Sequence, residues 1–128
     1  LQKVKELINW VYLNIEKKPV LSIPDAVTTL HTRVGDCNEH AALFAALSRS
    51  VSIPARIVAG VTYHDGKFYY HAWNEICIDG KWISLDTTSN QFPADLTHIK
   101  FVEGETIEQV KIGALLGTLT IEILGNNS

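Results

Sequence analysis

Two Asp-Gly dipeptides, at positions 65–66 and 79–80, divide the middle of the chain into three runs of strand-forming residues. The runs cover residues 56–63, 68–78 and 81–86. Asp-Gly between such runs is a strong signal for a two-residue hairpin turn, because both turn positions need a positive φ that Asp and Gly tolerate. The sequence therefore predicts three consecutive antiparallel strands, and this meander constrains the fold more than any other feature.

The second turn also decides which side chains meet across the sheet. With a two-residue turn at 79–80, Trp73 lies opposite Asp86, and His71 lies two positions from Trp73 on the same face. His71 and Asp86 are then diagonal neighbours, about 7 to 8 Å apart at the backbone, which an imidazole and a carboxylate can span. A loop of odd length without a bulge would put them on opposite faces. The predicted contact between His71 and Asp86 therefore depends on this turn.

A helix that begins at a cysteine is the second informative feature. Asp36 is a favourable N-cap residue, and Glu39 stands where a capping-box side chain reaches back to the cap. The helix should start at Cys37 and continue through the apolar run at 41–47. Free backbone N–H groups and the positive end of the helix dipole favour an anion there. We therefore expect a lowered thiol pKa at Cys37 and a place for an oxyanion.

Cys37, His71 and Asp86 together supply the groups of an acyl-transfer triad, in this order along the chain. Such chemistry needs a thiol nucleophile, an imidazole that takes and returns its proton, and a carboxylate that orients the imidazole. Each of the three residues stands in a local context that suits one of these roles. The sequence therefore predicts them as the catalytic site of an enzyme.

Four sequence blocks that contain these residues resemble the transglutaminase-like superfamily. The blocks are RVGDCNEHA at 33–41, IPARIVAG at 53–60, HAWNE at 71–75 and WISLDTT at 82–88. The resemblance spans about residues 26–97. It implies an α+β, papain-like fold of the transglutaminase-core type, in which N-terminal helices, one of them bearing the nucleophile, pack on an antiparallel sheet. It also implies Cys37 as the nucleophile, His71 as general base and then acid, and Asp86 as the orienting acid.

The resemblance further implies acyl transfer at peptide or amide bonds through a thioester, with a protein or peptide as the substrate. The superfamily includes transglutaminases, which pass a glutamine acyl group to an amine, as well as peptidases, deamidases and amide hydrolases. We favour hydrolysis, as in bacterial members described as candidate cysteine proteases, because water needs no second binding site. Cross-linking by a protein-glutamine gamma-glutamyltransferase and deamidation are the alternatives, since groove shape and water exclusion decide the acceptor.

Two non-catalytic interpretations stay open. Cys37 and His40 share a ligand spacing, and His64, His71 and Asp86 could complete a zinc site. No Cys-x-x-Cys or His-x-x-x-His pair supports such a site, and a helix start favours an anion over a cation. A domain that carries a triad could also serve as a binding module. We expect His40 to pack in the core or to support the site residues rather than to act as a base, and we expect no cofactor or metal.

Composition limits the class of protein. With 128 residues, 46% of them hydrophobic, the chain can bury the core of a single domain, which we expect over residues 1–128. A net charge of −3 without a basic stripe argues against a nucleic-acid partner. The chain begins with Leu and has no signal peptide or apolar span of about 20 residues, so we expect a fragment of a longer protein. Membrane association through that protein stays open, and only the resemblance favours the bacterial cell envelope.

The N-terminal region predicts two supporting helices. The first ends before Pro19 and buries one face at helical spacing, formed by Val4, Leu7, Ile8, Val11 and Ile15. The second runs over about residues 24–32 and turns three side chains inward, those of Ala26, Val27 and Leu30. This helix leads the chain to the predicted nucleophile.

The polar segment 87–97 predicts a loop at the rim of the site. Beyond it, the spacing of apolar residues indicates a helix from Thr106, a strand at 119–123 and a frayed end at 125–128. Three further side chains are expected in the core, those of Trp73, Trp82 and Cys77.

Overall fold

The computed structural model describes residues 2–18 and 26–103 of the chain. In chain order the elements of this part are α1 (Gln2–Asn14), β1 (Glu16–Lys17), α2 (Ala26–Thr32), β2 (Val34–Gly35), α3 (Cys37–Ser50), β3 (Ala55–His64), β4 (Lys67–Ile78), β5 (Lys81–Leu85) and β6 (His98–Glu103). Helices come first and an antiparallel sheet follows. The α+β class predicted from the sequence is confirmed.

The sheet is a four-stranded antiparallel sheet in the order β5-β4-β3-β6. Both Asp-Gly turns have positive φ at each of their positions, between 51° and 82°, as a type I′ hairpin turn requires. Strand β4 pairs with β5 from Ile78 opposite Lys81 to Asn74 opposite Leu85. The predicted meander and its register are therefore confirmed.

Strand β5 ends at Leu85, and the end of this strand shapes the site. Asp86 leaves the ladder and exchanges two backbone hydrogen bonds with Gln91, each 2.9 Å long. The connection that follows carries the chain to β6, at the opposite edge of the sheet, where His98 begins the strand. The sequence does not predict β6, because no turn signal separates it from the polar loop.

The helices cover one face of the sheet. Helix α3 packs on β3 and β4, and α1 packs on α3. The face predicted for α1 is confirmed: Val4, Ile8 and Val11 are buried, Leu7 is half-buried against the core, and Ile15 is buried just past the end of the helix. The other main core side chains come from α3 and the sheet, namely Leu43, Phe44, Ala72, Ile76 and Leu85.

The inward face predicted for the second helix is wrong for two of its three residues, since only Ala26 packs against the core. Val27 and Leu30 are 62% and 36% exposed, whereas Thr29 is buried. Three apolar residues in a helix of seven do not define a face, and threonine, which has nearly the shape of valine, fills the inward position. The helix itself is present from Ala26.

Two of the three side chains expected in the core are less buried than predicted. Trp73 is buried as predicted, but Trp82 is 42% exposed because it lies on the edge strand β5. The Arg56 guanidinium stacks over the Trp82 ring at 3.9 Å, a cation–π contact that partly covers it. Cys77 is half-buried rather than buried, and both cysteines are free thiols.

Several predicted segments lie outside the described residues. They are the start of the second helix at 24–25, the helix from Thr106, the strand at 119–123 and the end at 125–128. In the part of the chain that the structure describes, none of the helices has the length and apolar character needed to span a bilayer.

Candidate active site

Helix α3 begins with the predicted capping box. The Asn38 backbone N–H donates to Asp36 Oδ1 at 2.9 Å, and the Asp36 N–H donates to Glu39 Oε1 at 3.0 Å. Burial and a hydrogen bond with the Asp36 side chain raise the pKa of Glu39 to about 7. The cap therefore starts the helix at Cys37, as the sequence indicated.

Gly35 makes room for this cap. It lies in β2, where its carbonyl accepts the Lys18 N–H at 3.0 Å. A Cβ at this position would lie 2.2 Å from the Glu39 Cβ, so any larger residue would displace the capping glutamate. Glycine is therefore required here by packing against Glu39.

The surroundings of the Cys37 thiol overturn the expectation of a lowered pKa. Burial, together with the charges of Asp36, Asp86 and Glu39, raises the pKa from 9.0 to about 12, against one hydrogen bond from the Ala72 backbone that lowers it. Desolvation and three carboxylates thus outweigh this hydrogen bond. The resting thiol is protonated.

The hydrogen bond from Ala72 shows where the thiol lies. Because β5 ends opposite Asn74, β4 has no β5 partner at Ala72, and the Ala72 backbone bonds the Cys37 thiol. Ala72 directly follows His71, so the thiol lies beside the strand position that carries the imidazole. No hydrogen bond joins the thiol to the imidazole within residues 2–18 and 26–103.

His71 and Asp86 meet as the register predicted. The distance between His71 Nε2 and Asp86 Oδ2 is 2.7 Å, and the Asp86 side chain is only 3% exposed. The Thr88 backbone N–H donates to the other oxygen, Oδ1, at 2.9 Å. Burial alone would raise the pKa of Asp86, but hydrogen bonds from His71 and His98 outweigh it and hold the pKa below its usual range. Asp86 is therefore ionised, and both of its carboxylate oxygens accept hydrogen bonds.

His98 is a member of this cluster that sequence reasoning missed. Its Nε2 donates to the same Asp86 Oδ2 at 2.8 Å, and its Nδ1 donates to Asp95 Oδ1 at 2.9 Å. Burial lowers its pKa, but hydrogen bonds to the two carboxylates reverse this and raise it. Because both ring nitrogens donate to carboxylates, the ring carries a proton on each. The ring also meets Trp73 edge to face at 4.9 Å.

The loop between β5 and β6 brings His98 to Asp86 from the far edge of the sheet. Asp95 anchors this loop, because its carboxylate accepts the Thr97 N–H and the Gln91 Nε2, both at 3.0 Å. Gly60 in β3 allows β6 to come close, since a Cβ at this position would lie 1.9 Å from the Ile99 carbonyl oxygen of β6. The one local signal for His98 was an aspartate three residues before it, which is too common to single it out.

A cleft of about 360 Å³ opens beside the cluster. His71, Asp86 and His98 line it, together with His64 and residues of the loop 87–97, as expected of a loop at the rim. Cys37 is not one of its lining residues. The cleft therefore gives access to the imidazole, the carboxylate and His98.

The zinc site considered from the sequence is not assembled. His40 is fully buried and its Nδ1 lies 2.7 Å from the Asp36 carbonyl oxygen. Burial lowers its pKa, so it is a neutral packing residue, as predicted. Among the described residues, the metal-ligand types that converge are instead His71, Asp86 and His98, with donor atoms within 4.8 Å of one another.

Comparison with known proteins agrees with this geometry. The family model of the transglutaminase-like superfamily matches residues 1–87. The chain belongs to this superfamily. No curated protein matches it. The resemblance read from the four sequence blocks is thereby confirmed.

Two solved structures share the fold. One is a candidate cysteine protease from Cytophaga hutchinsonii, with 30% identity, a TM-score of 0.74 and coverage of 86% of this chain. The other is the periplasmic domain of TgpA from Pseudomonas aeruginosa, with 26% identity, a TM-score of 0.51 and coverage of 70%. The chain spans 38% and 35% of the lengths of these two proteins. The predicted transglutaminase-type fold is confirmed.

Proposed function

We propose that this domain transfers acyl groups from peptide or amide bonds through a thioester on Cys37, with His71 as base and then acid and Asp86 as the residue that orients it. The observation that carries the proposal is the buried 2.7 Å hydrogen bond between His71 Nε2 and Asp86 Oδ2, one residue away from the backbone group that bonds the thiol. The family and the name of its Cytophaga neighbour support the same chemistry.

The tautomer of His71 follows from its bond to Asp86. Because the ionised carboxylate accepts from Nε2, the neutral ring carries its proton there and has its lone pair on Nδ1. Nδ1 is therefore the nitrogen that accepts the thiol proton. A protonated resting thiol requires this transfer to accompany attack, since no standing thiolate is available.

The reaction then balances in two steps. In the first, the sulfur bonds to the substrate carbonyl carbon, the thiol proton moves to His71 Nδ1, and the C–N bond breaks as His71 returns the proton to the leaving amine. In the second, His71 takes a proton from water, the hydroxyl oxygen bonds to the thioester carbon, and the C–S bond breaks with return of the proton to sulfur. The backbone N–H of Cys37, at the first turn of α3, is the candidate donor to the oxyanion.

His98 is proposed as a positioning residue for Asp86. Its Nε2–H shares the oxygen that His71 uses, so it fixes where the carboxylate lies. The loop contact through Asp95 then links the carboxylate to the rim of the cleft. Loss of His98 should impair catalysis less than loss of His71, because His98 acts only through Asp86.

Hydrolysis is the proposed outcome rather than transfer to an amine. His71 lines the cleft, so water in the cleft has access to the imidazole that would activate it. Water therefore needs no dedicated acceptor site. The name of the Cytophaga neighbour, a candidate cysteine protease, favours the same outcome.

The test uses p-nitrophenyl acetate, an activated acyl donor that does not depend on knowing the natural substrate. We expect a burst of one p-nitrophenolate per chain, absent in Cys37→Ala and retained in Cys77→Ala. His71→Gln should remove the burst and His64→Gln, in the same cleft, should keep it. Added glycine methyl ester then separates outcomes: acetate as the main product supports hydrolysis, and acetylated amine as the main product would identify a transferase. A burst that survives in Cys37→Ala would contradict the proposal.

A further inference from the structure

The cluster of His71, Asp86 and His98 has the donor set of a transition-metal site. It offers two imidazole Nε2 atoms and one carboxylate Oδ2, all within 4.8 Å of one another. Imidazole and carboxylate are the ligands that Zn²⁺ takes in sites that keep an open position. The donors come from three separate segments, β4, the residue after β5 and the start of β6.

The distances are close to those that an ion would impose. The two imidazole-to-carboxylate distances are now 2.7 and 2.8 Å. Bonds of about 2.0 to 2.1 Å in tetrahedral geometry separate neighbouring ligand atoms by about 3.3 Å. Each of these two pairs must therefore open by about 0.5 to 0.6 Å, and the two nitrogens, which lie within 4.8 Å of each other, must settle at the same separation.

A second observation points to a metal independently of the three donors. The other ring nitrogen of His98, Nδ1, donates to the Asp95 carboxylate at 2.9 Å. Histidine ligands in metal sites almost always donate their second nitrogen to such a partner, which fixes the ring and aims Nε2 at the ion. Asp95 is itself held by Thr97 and Gln91, so this support is already built.

The cleft provides access for the ion and its remaining ligand. All three donor residues line its wall, and its volume of about 360 Å³ accommodates water. Cys37 does not line it. A site on this side would therefore consist of nitrogen and oxygen ligands with water in the open position, without sulfur.

We propose that His71, Asp86 and His98 bind a divalent ion of the zinc class, and that the bound ion inhibits the enzyme. Binding at Nε2 moves the single ring proton of His71 to Nδ1, so the ring can no longer accept the thiol proton. His98 loses its Nε2 proton to solvent, so one proton is released for each ion bound. Inhibition rests on the function proposed above, whereas binding does not.

Cobalt(II) is the probe for the site, because its visible absorption reports coordination directly. We expect the purified chain to bind one Co²⁺, with bands of a four-coordinate nitrogen and oxygen site and no sulfur-to-cobalt charge-transfer band, and Zn²⁺ to displace it. Cys37→Ala and His64→Gln should bind as the wild type does. His98→Gln should weaken binding by more than tenfold, and Asp95→Asn by about tenfold through the lost support.

An ion bound instead between Cys37 and His71 would depend on Cys37 and not on His98. Loss of binding in Cys37→Ala, a charge-transfer band from sulfur, or unchanged binding in His98→Gln would each overturn the proposal. So would the absence of Co²⁺ binding at millimolar concentration.

The experiments distinguish a failure of the metal site from a failure of the proposed function. If Co²⁺ binds as expected but the metal-free protein shows no p-nitrophenolate burst, the proposed function fails and the metal site stands. If the burst occurs but Zn²⁺ neither binds at His98 nor suppresses it, the proposed function stands and the metal site is wrong. Circular dichroism of His98→Gln confirms that a loss of binding does not come from unfolding.

Discussion

The protonation state of Cys37 allows a sharp test by alkylation. Burial together with nearby carboxylates raises its pKa from 9.0 to about 12. A thiol with this pKa has about 1,000-fold less thiolate at pH 8 and below than an ordinary thiol, and the thiolate is the form that reacts with iodoacetamide. In the folded protein we therefore expect Cys37 to react about 1,000-fold more slowly at pH 8 than in the urea-unfolded chain.

The assay follows both cysteines by peptide mass spectrometry between pH 6 and pH 10. The rate at Cys37 should rise about tenfold per pH unit across this range, without an inflection, because the pKa lies above it. Asp36→Asn is the matched variant, since asparagine also caps a helix but removes one of the charges that raise the pKa. It should react several-fold faster than the wild type.

One result would refute this reasoning. An inflection below pH 8.5 at Cys37, lost in His71→Ala, would show a standing thiolate and imidazolium pair. The helix terminus would then outweigh burial and the charges of Asp36, Asp86 and Glu39, contrary to the surroundings described above. A rate in Asp36→Asn no faster than in the wild type would show that this carboxylate does not act on the thiol.

Three further predictions concern the groups around the thiol. Asp86→Asn should lower the rate of p-nitrophenolate release by about 10³ to 10⁴, because the amide favours the wrong tautomer of His71, and a rate within tenfold of wild type would argue against the triad. The pKa of Asp86 is lower in the folded than in the unfolded protein. The ionised Asp86 therefore stabilises the fold at a pH above its pKa in the unfolded chain, and this contribution to the free energy of unfolding is lost as the pH falls through its pKa in the folded protein. Urea unfolding between pH 2 and pH 6 should accordingly show a shallower acid limb in Asp86→Asn, and an unchanged limb would contradict the buried bond. Gly35→Ala should lower the free energy of unfolding by about 1 to 3 kcal/mol, since the added Cβ displaces Glu39 from the cap, and an unchanged urea midpoint would show that the contact relaxes freely.

The features that the sequence predicted correctly are those set by neighbours in the chain. The Asp-Gly turns fix the register by their own φ preferences, and with the register they fix the contact between His71 and Asp86. The capping box at Cys37 needs only three residues of spacing. These features required no knowledge of how distant segments pack.

The features that were missed depend on distant segments. His98 reaches Asp86 only because a loop crosses from one edge of the sheet to the other, and neither its length nor its polarity encodes that path. The thiol pKa at Cys37 was predicted from the helix terminus alone, whereas burial by the sheet edge and the charge of Asp86 arise only in the folded chain. The exposed Val27 likewise shows that a short apolar pattern does not determine what packs against it.

The measurement that tests the central claim most directly is the intact mass of the protein, quenched in acid within the burst of p-nitrophenyl acetate turnover. A thioester on Cys37 predicts a gain of one acetyl group, mapped by peptide digestion to the segment that begins α3, removed by hydroxylamine, and absent from both Cys37→Ala and His71→Gln. An acetyl group found on Cys77 or on a lysine, or a gain that persists without Cys37, would contradict the assignment of the nucleophile.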